Sequence, residues 1–147
     1  MVTPVIETQR MLLRPLCVSD ADVIFRNWTS DPDVAKYMVW NLHTCVEDTV
    51  EWLKTEEDSL AGDNAYTWGF VLKETGELFG SGGIRLNEEF RMFELGYNIM
   101  SKHWNKGLTT EAASAIILVG SEVIVRCPQL FIKPCSCAFR SSIIVCH

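Results

Sequence analysis

Three runs of alternating apolar residues, joined by two short polar turns, constrain this chain more than any other feature of it. "YTWGFVLKE" alternates bulky apolar and other side chains, "ETGE" turns the chain, "LFGSGGIRL" resumes as a strand, "NEEF" turns it again and "MFELGYNIM" follows. Short alternating runs separated by tight turns read as an antiparallel meander. In the third run Phe93, Leu95, Tyr97 and Ile99 share one face while Glu94, Gly96 and Asn98 share the other. Gly80, Gly82 and Gly83 loosen the second run and point to a bulge or a close approach of backbone.

What precedes the meander reads as helical. "ETQRMLLRPL" mixes charged and apolar residues as a short first strand does, and Pro15 limits its continuation in a sheet. Ser19 with Asp22 three residues on resembles a capping box, after which Ile24, Phe25 and Trp28 fall on one face. "DPDVAKYM" reads as a short second helix, with Ser30 or Asp31 as cap and Pro32 at the first helical position. Thr44 and Glu47 repeat the T-x-x-E cap ahead of Val46, Val50 and Leu53, and this third helix ends near "AGDN". After the meander, "HWNKGLTTEAASAII" opens a helix running to about Glu122, and "QLFIKPC" beyond Pro128 is a further strand. The order is strand, helices, meander, helix, strand, which predicts a mixed α/β (α+β) domain.

Composition narrows the function classes. A chain of 147 residues with 48% hydrophobic content is one domain that buries a real core. No apolar run is long enough to span a bilayer, and "MVTPVIETQR" lacks the layout of a signal peptide, so a soluble cytoplasmic protein with no membrane partner is expected. A net charge of −6 argues against general binding to a nucleic-acid backbone. The charge is uneven: residues 1–90 carry 16 acids and 7 bases, residues 91–147 carry 3 acids and 6 bases. Acidic decoration of solvated helices accounts for the first part; the same imbalance suits an amine-bearing partner there and an anion in the second. Cys17, Cys45, Cys127, Cys135, Cys137 and Cys146 read as free thiols, because C-x-C with long flanking gaps is not the usual zinc spacing; no metal is expected.

A strand that runs through a Gly-containing turn into a helix is a recurrent anion site, since the first helical turn carries N–H groups without intrahelical partners and the positive end of the dipole. Gly107 permits the tight turn, Lys106 adds charge, and Thr109 or Thr110 adds a hydroxyl. The same residues also suffice for an ordinary helix start.

The residues around that turn add a resemblance. "IETQRMLLRPLCVSDADVI", "WTSDPDVAKYM", "GFVLKETGELFGSGGI" and above all "FELGYNIMSKHWNKGLTTEAA" resemble the GNAT superfamily of acyl-CoA-dependent N-acyltransferases, in its RimJ/RimL-like branch, which includes ribosomal-protein N-terminal acetyltransferases. The likeness covers residues 6–115. It implies a mostly antiparallel central sheet flanked by helices, with acetyl-CoA as cosubstrate. The family's R/Q-x-x-G-x-G/A signature falls on Trp104, Asn105, Lys106, Gly107, Leu108 and Thr109, with Thr109 where Gly or Ala is usual. The resemblance implies that Asn105, Lys106, Gly107, Leu108, Thr109 and Thr110 hold the CoA pyrophosphate, and that the backbone of Ile99, Met100 and Ser101 pairs with the pantetheine arm.

In such a fold a neutral amine attacks the thioester, a base takes its proton and the CoA thiolate leaves. Glu94, flanked by Phe93 and Leu95, is the candidate base; pairing with Arg85 or Arg91 is its structural alternative. Glu111 reads as a dipole partner in the first turn of the helix. Tyr97 has the wrong parity to act beside Glu94, so no general acid is assigned.

Past residue 115 the match thins. Ala138 stands at the Asn and Ser141 at the Ser of the family's N-x-x-S, and no L-E-K-x-G-F segment follows. The expectation is a single domain over residues 1–147, truncated or divergent in its last strands, with a sheet edge open to a second copy of the chain. The function expected is N-acetylation of a protein N-terminus or a small amine; the alternative is an inactive acyl-CoA-binding or scaffold module derived from such an enzyme.

Overall fold

The computed structural model describes residues 3–60, 65–87, 89, 92–125 and 131–134. Six strands form one sheet in chain order: β1 (Ile6–Glu7), β2 (Met11–Arg14), β3 (Ala65–Leu72), β4 (Leu78–Asn87), β5 (Met92–Ile99) and β6 (Phe131–Pro134). The first five are antiparallel and β6 is parallel to β5. Helices α1 (Ala21–Ile24), α2 (Pro32–Ala35) and α3 (Val46–Leu60) lie between β2 and β3, and α4 (Leu108–Val125) lies between β5 and β6. The meander and the helix positions are as the periodicity predicts, and the mostly antiparallel sheet flanked by helices is as the resemblance implies.

Local details differ from the sequence reading where a neighbouring carboxylate has better geometry. "ETQRMLLRPL" is a hairpin rather than one strand, closed by Thr8 N–H donating to the Met11 carbonyl (2.9 Å). The cap ahead of α1 uses Asp20, which accepts from Cys17 N–H (3.0 Å) and takes both nitrogens of Arg14 (2.9 and 2.8 Å), not the Ser19–Asp22 pair. Asp48, not Glu47, caps α3, accepting from the N–H groups of Thr44 (2.8 Å) and Cys45 (3.3 Å). Asp31 caps α2 as read, taking Asp33 N–H at 2.9 Å ahead of Pro32. Residues Phe25–Thr29 continue α1 as a π turn, and Asn27 Nδ2 ties that turn to the Leu78 carbonyl (2.6 Å).

The alternation of the strands splits the core in two. Met11, Leu13, Trp68, Phe70, Phe79, Phe93, Leu95 and Ile99 pack on one face against Leu108, Ala112, Ala113 and Ile116 of α4. On the other face Leu16, Ile24, Trp28, Val34, Leu53 and Leu78 join the first three helices. Leu78 and Phe79 serve opposite faces by the ordinary alternation of a strand, and beside them the register slips between Phe70 and Val71, the bulge that the glycines of "LFGSGGI" foreshadow. At Gly80 an added Cβ would run into the Asn98 carbonyl of β5, which is the close approach expected there.

Candidate active site

The link from β5 to α4 is a short turn over Ser101–His103 and then a loop with two residues in the left-handed region, Asn105 (φ 59°) and Gly107 (φ 73°). Asparagine tolerates that region better than most residues, and glycine has no Cβ to oppose it. The first intrahelical bond of α4 runs from Glu111 N–H to the Gly107 carbonyl (3.2 Å), so the helix ladder offers no acceptor to the N–H groups of Leu108, Thr109 and Thr110. Asn105, Lys106, Gly107 and Thr110 are exposed, Thr109 is half-buried and Leu108 is a core residue. The loop thus presents helix-start amides and a lysine to solvent, anchored by Leu108 below.

The β1–β2 hairpin clamps this loop, a link invisible in the sequence. Glu111 Oε1 accepts from Thr8 Oγ1 (2.7 Å) and Arg10 N–H (2.8 Å), and its Oε2 from Arg10 Nε (2.6 Å). Arg10 Nη1 reaches on to the Lys106 carbonyl (2.8 Å). Burial acts to raise the Glu111 pKa, but the donors from Arg10 and Thr8 together outweigh it and hold the carboxyl below its ordinary value. Glu111 is therefore more than a dipole partner: it joins the loop to a hairpin about a hundred residues away.

A second anchor holds the turn before the loop. Glu77, after the β3–β4 turn, accepts from Lys102 Nζ (2.5 Å) and lies 2.8 Å from His103 Nε2. Burial opposes the ionised form of Glu77, and these two partners outweigh burial to lower its pKa. Ser101 Oγ donates to Asp31 (3.1 Å), and the Trp104 ring meets Tyr37 edge-on at 6.0 Å, which brings the α2 segment beside the end of β5.

The edge of β5 that faces β6 has its own geometry. β6 pairs with β5 from Met92↔Phe131 to Leu95↔Pro134, and no described residue pairs with β5 on that edge beyond Leu95. Met100 N–H donates to the Phe79 carbonyl (2.8 Å), so by the alternation of antiparallel pairs Ser81–Asn98 is a bonded pair and Gly80–Ile99 is not. The N–H and C=O groups of Ile99 and Tyr97 accordingly point away from β4. Trp104 Nε1 takes the Ile99 carbonyl (3.1 Å), His103 N–H the Met100 carbonyl (2.9 Å) and Trp104 N–H the Ser101 carbonyl (3.1 Å). Of the three residues expected to meet a pantetheine arm, Ile99 thus keeps its N–H aimed outward, while Met100 is engaged at both its N–H and its carbonyl.

Glu94 is half-buried on the opposite face of the sheet from α4. Its Oε1 accepts from Asn87 Nδ2 (3.0 Å). Arg85, its cross-strand neighbour, donates instead to Glu56 of α3 (3.0 Å), which also takes Thr67 Oγ1 (2.8 Å). The other expected partner, Arg91, lies outside the described residues. Tyr97 is on the α4 face, as its parity requires, and burial raises the pKa of its phenol. Ala138, Ser141 and the cysteines from Cys127 onward also lie outside the described residues, and among the described ones no three metal-ligating side chains cluster.

Comparison with known proteins places this arrangement. Residues 10–132 match the family described as the acetyltransferase (GNAT) domain. The chain belongs to the GNAT family. Within it, the chain is 33% identical over 114 residues to the uncharacterized N-acetyltransferase p20 of Bacillus licheniformis, covering 77% of this chain and 64% of that one. It is 29% identical over 118 residues to the uncharacterized N-acetyltransferase YoaA of Bacillus subtilis, covering 80% and 66%. The match spans just under two thirds of the length of these relatives. Among solved structures, a Vibrio cholerae protein put forward as a ribosomal-protein-serine acetyltransferase shares the fold with a TM-score of 0.72 at 23% identity, over 90% of this chain and 75% of that one. Among the described residues of this GNAT domain no helix is long and apolar enough to cross a membrane.

Sequence reasoning singled out the loop and Glu94 but missed Thr8 and Arg10, whose partner is remote in sequence. It also placed Gly96 and Asn98 beside Glu94 by parity without giving them a role. The available signal was the alternation itself, which puts all three on one face.

Proposed function

We propose that this GNAT domain moves an acetyl group from acetyl-CoA to a primary amine, a protein N-terminus or a small amine. The observation that carries the reading is the outward-facing edge at the end of β5. The N–H and C=O groups of Tyr97 and Ile99 point away from β4, no described residue pairs with them on that edge, and the amides of the α4 loop lie at the end of that same strand. An extended arm laid along the edge brings its phosphates to the helix start. The fit is supported by the exposed Lys106 and by helix-start amides that the ladder leaves available.

Acetyl-CoA supplies an acyl carbon already activated as a thioester. The chain's task is to orient an amine against it and to remove a proton. Asn105, Lys106, Gly107, Leu108, Thr109 and Thr110 hold the pyrophosphate; the backbone from Ile99 to Ser101, with the Ile99 N–H foremost, fixes the arm. Glu94, facing away from α4, takes the proton of the attacking amine directly or through a water. The C–N bond forms as the C–S bond breaks, and the thiolate leaves to be protonated.

Thiol release from acetyl-CoA, measured across a panel of amines, tests the reading. Turnover with at least one amine is expected. Measurable CoA binding with no turnover on any amine removes the transferase reading and leaves an acyl-CoA-binding module.

A further inference from the structure

Trp104 stands at the junction of β5 and the loop into α4. Its indole Nε1 donates to the Ile99 carbonyl (3.1 Å), so a side chain from the start of the loop closes back on the last residue of β5. The peptide between Ile99 and Met100 is thereby held at both ends, because its N–H, that of Met100, donates to the Phe79 carbonyl of β4 (2.8 Å). Trp104 packs against the cores on both faces of the sheet, its ring meets Tyr37 edge-on at 6.0 Å, and its own backbone N–H donates to the Ser101 carbonyl (3.1 Å). Asn105 follows at once in the left-handed region (φ 59°) and starts the turn into α4. A phenyl ring would also fill apolar space there; the indole adds an N–H, a donor with no acceptor beside it, so the bond runs in one sense from loop to strand.

We propose that Trp104 is a positioning residue for acetyl-CoA: its indole N–H, fastened to the Ile99 carbonyl, sets the spacing between the strand edge that takes the pantetheine arm and the loop amides that take the pyrophosphate. The two places are separate in the chain, the edge ending at Ile99 and the helix-start amides beginning at Leu108. Between them run the short turn Ser101–His103 and two left-handed residues, Asn105 and Gly107, so the backbone has several torsions through which the spacing could drift. A ligand that engages both places gains over its separate halves only as far as they are held at the distance its covalent link imposes. Arg10 and Glu111 fix the far side of the loop to the β1–β2 hairpin, and Glu77 fixes the turn through Lys102 and His103, whereas the indole bond joins the loop to β5 itself. The inference rests on the placement of arm and pyrophosphate given above.

Two substitutions separate the donor from the ring. Trp104→Phe keeps a ring and removes the N–H; Trp104→Gln removes the ring and keeps an N–H as many bonds from Cα as the indole's. Calorimetry measures the binding of CoA and of its two halves, adenosine 3′,5′-bisphosphate and 4′-phosphopantetheine, to each protein. Wild type is expected to hold CoA more tightly than either half. In Trp104→Phe the advantage of CoA over the halves falls roughly two- to tenfold, the contribution of one net hydrogen bond, while each half binds as in wild type. Trp104→Gln keeps the wild-type advantage, whatever its loss in thermal stability; a residue that merely packs predicts the reverse order. In the NMR spectrum the Trp104 indole N–H, identified by its absence from Trp104→Phe, stays protected from solvent exchange when CoA saturates the wild-type protein. An advantage unchanged in Trp104→Phe, a loss in Trp104→Gln as large as in Trp104→Phe, or an indole N–H that loses protection on CoA binding overturns the proposal and leaves the CoA site standing. CoA that binds wild type no better than one of its halves overturns the placement of arm and pyrophosphate, and the proposal with it.

Discussion

Replacing Glu111 with Gln tests whether the clamp between the β1–β2 hairpin and the loop ahead of α4, the proposed CoA-binding loop, matters to both stability and binding. The carboxylate receives three donors, Thr8 Oγ1 and Arg10 N–H on one oxygen and Arg10 Nε on the other. A glutamine oxygen can still serve the first two, but its NH2 then faces Arg10 Nε, a donor against a donor at 2.6 Å. The Arg10 side chain is 45% exposed and that of Glu111 18%, so solvent screens part of the ion pair. Adding the charge assistance lost at the other two bonds gives about 1–2 kcal/mol, or a fall in Tm of about 2–8 °C for a chain of this size. The pH dependence has a definite sign. Since the folded-state pKa of Glu111 lies below its ordinary 4.5, its contribution is complete above that value and is lost as pH falls through the lowered one. Thermal unfolding of wild type and Glu111→Gln at a series of pH values should show a constant gap from pH 7 to pH 5 that closes on further acidification. Freed Arg10 no longer fixes the Lys106 carbonyl, so CoA affinity by calorimetry should fall several-fold. A gap that persists undiminished into strong acid, or a lower Tm with unaltered CoA affinity, refutes the reasoning.

Other outcomes follow from the same geometry. Gly107→Ala places a Cβ at φ +73°, which costs about 1–2 kcal/mol, and should lower both the urea midpoint and CoA affinity. Glu94→Gln should remove the acidic limb of the pH–rate profile for acetyl transfer; an unchanged profile removes Glu94 as base. His43 is held through Thr49 Oγ1 (2.8 Å), and burial, only partly offset by Asp48, lowers its pKa. Its neutral form is favoured in the fold, so stability is lost as pH falls below the ordinary 6.5. Amide exchange in residues 41–45, corrected for its intrinsic pH dependence, should accelerate there.

The meander, four helices and the Gly-containing loop into α4 were legible in the sequence because each is a local pattern: a period of two, a period near 3.6, a proline or glycine at a turn. Glu94, Gly96 and Asn98 were legible as a shared face for the same reason. What escaped was non-local. Nothing near Arg10 points to Glu111, and nothing near Glu77 points to His103, since the sheet brings them together only after it has formed. The capping errors have a smaller cause. At the starts of α1 and α3 an aspartate and its neighbours compete for the same N–H groups, and the winner depends on where the chain enters. Asp20 prevails because Arg14, on the adjoining strand, fixes it from the far side.

The two faces of β5 do different work because the strand cannot be satisfied on both. Phe93, Leu95 and Ile99 are pinned under α4, which fixes the register that sends the Tyr97 and Ile99 amides towards β6. A one-residue slip would turn Glu94 and Asn98 into that apolar core and expose Phe93 and Leu95, so burial on one face enforces polarity on the other. On the second face Leu16, Trp28 and Leu53 pack with Leu78 of β4, and β5 contributes Glu94, Gly96 and Asn98. A Cβ at Gly96 would meet no described atom within 4 Å, so a small side chain there would neither clash nor gain a packing contact.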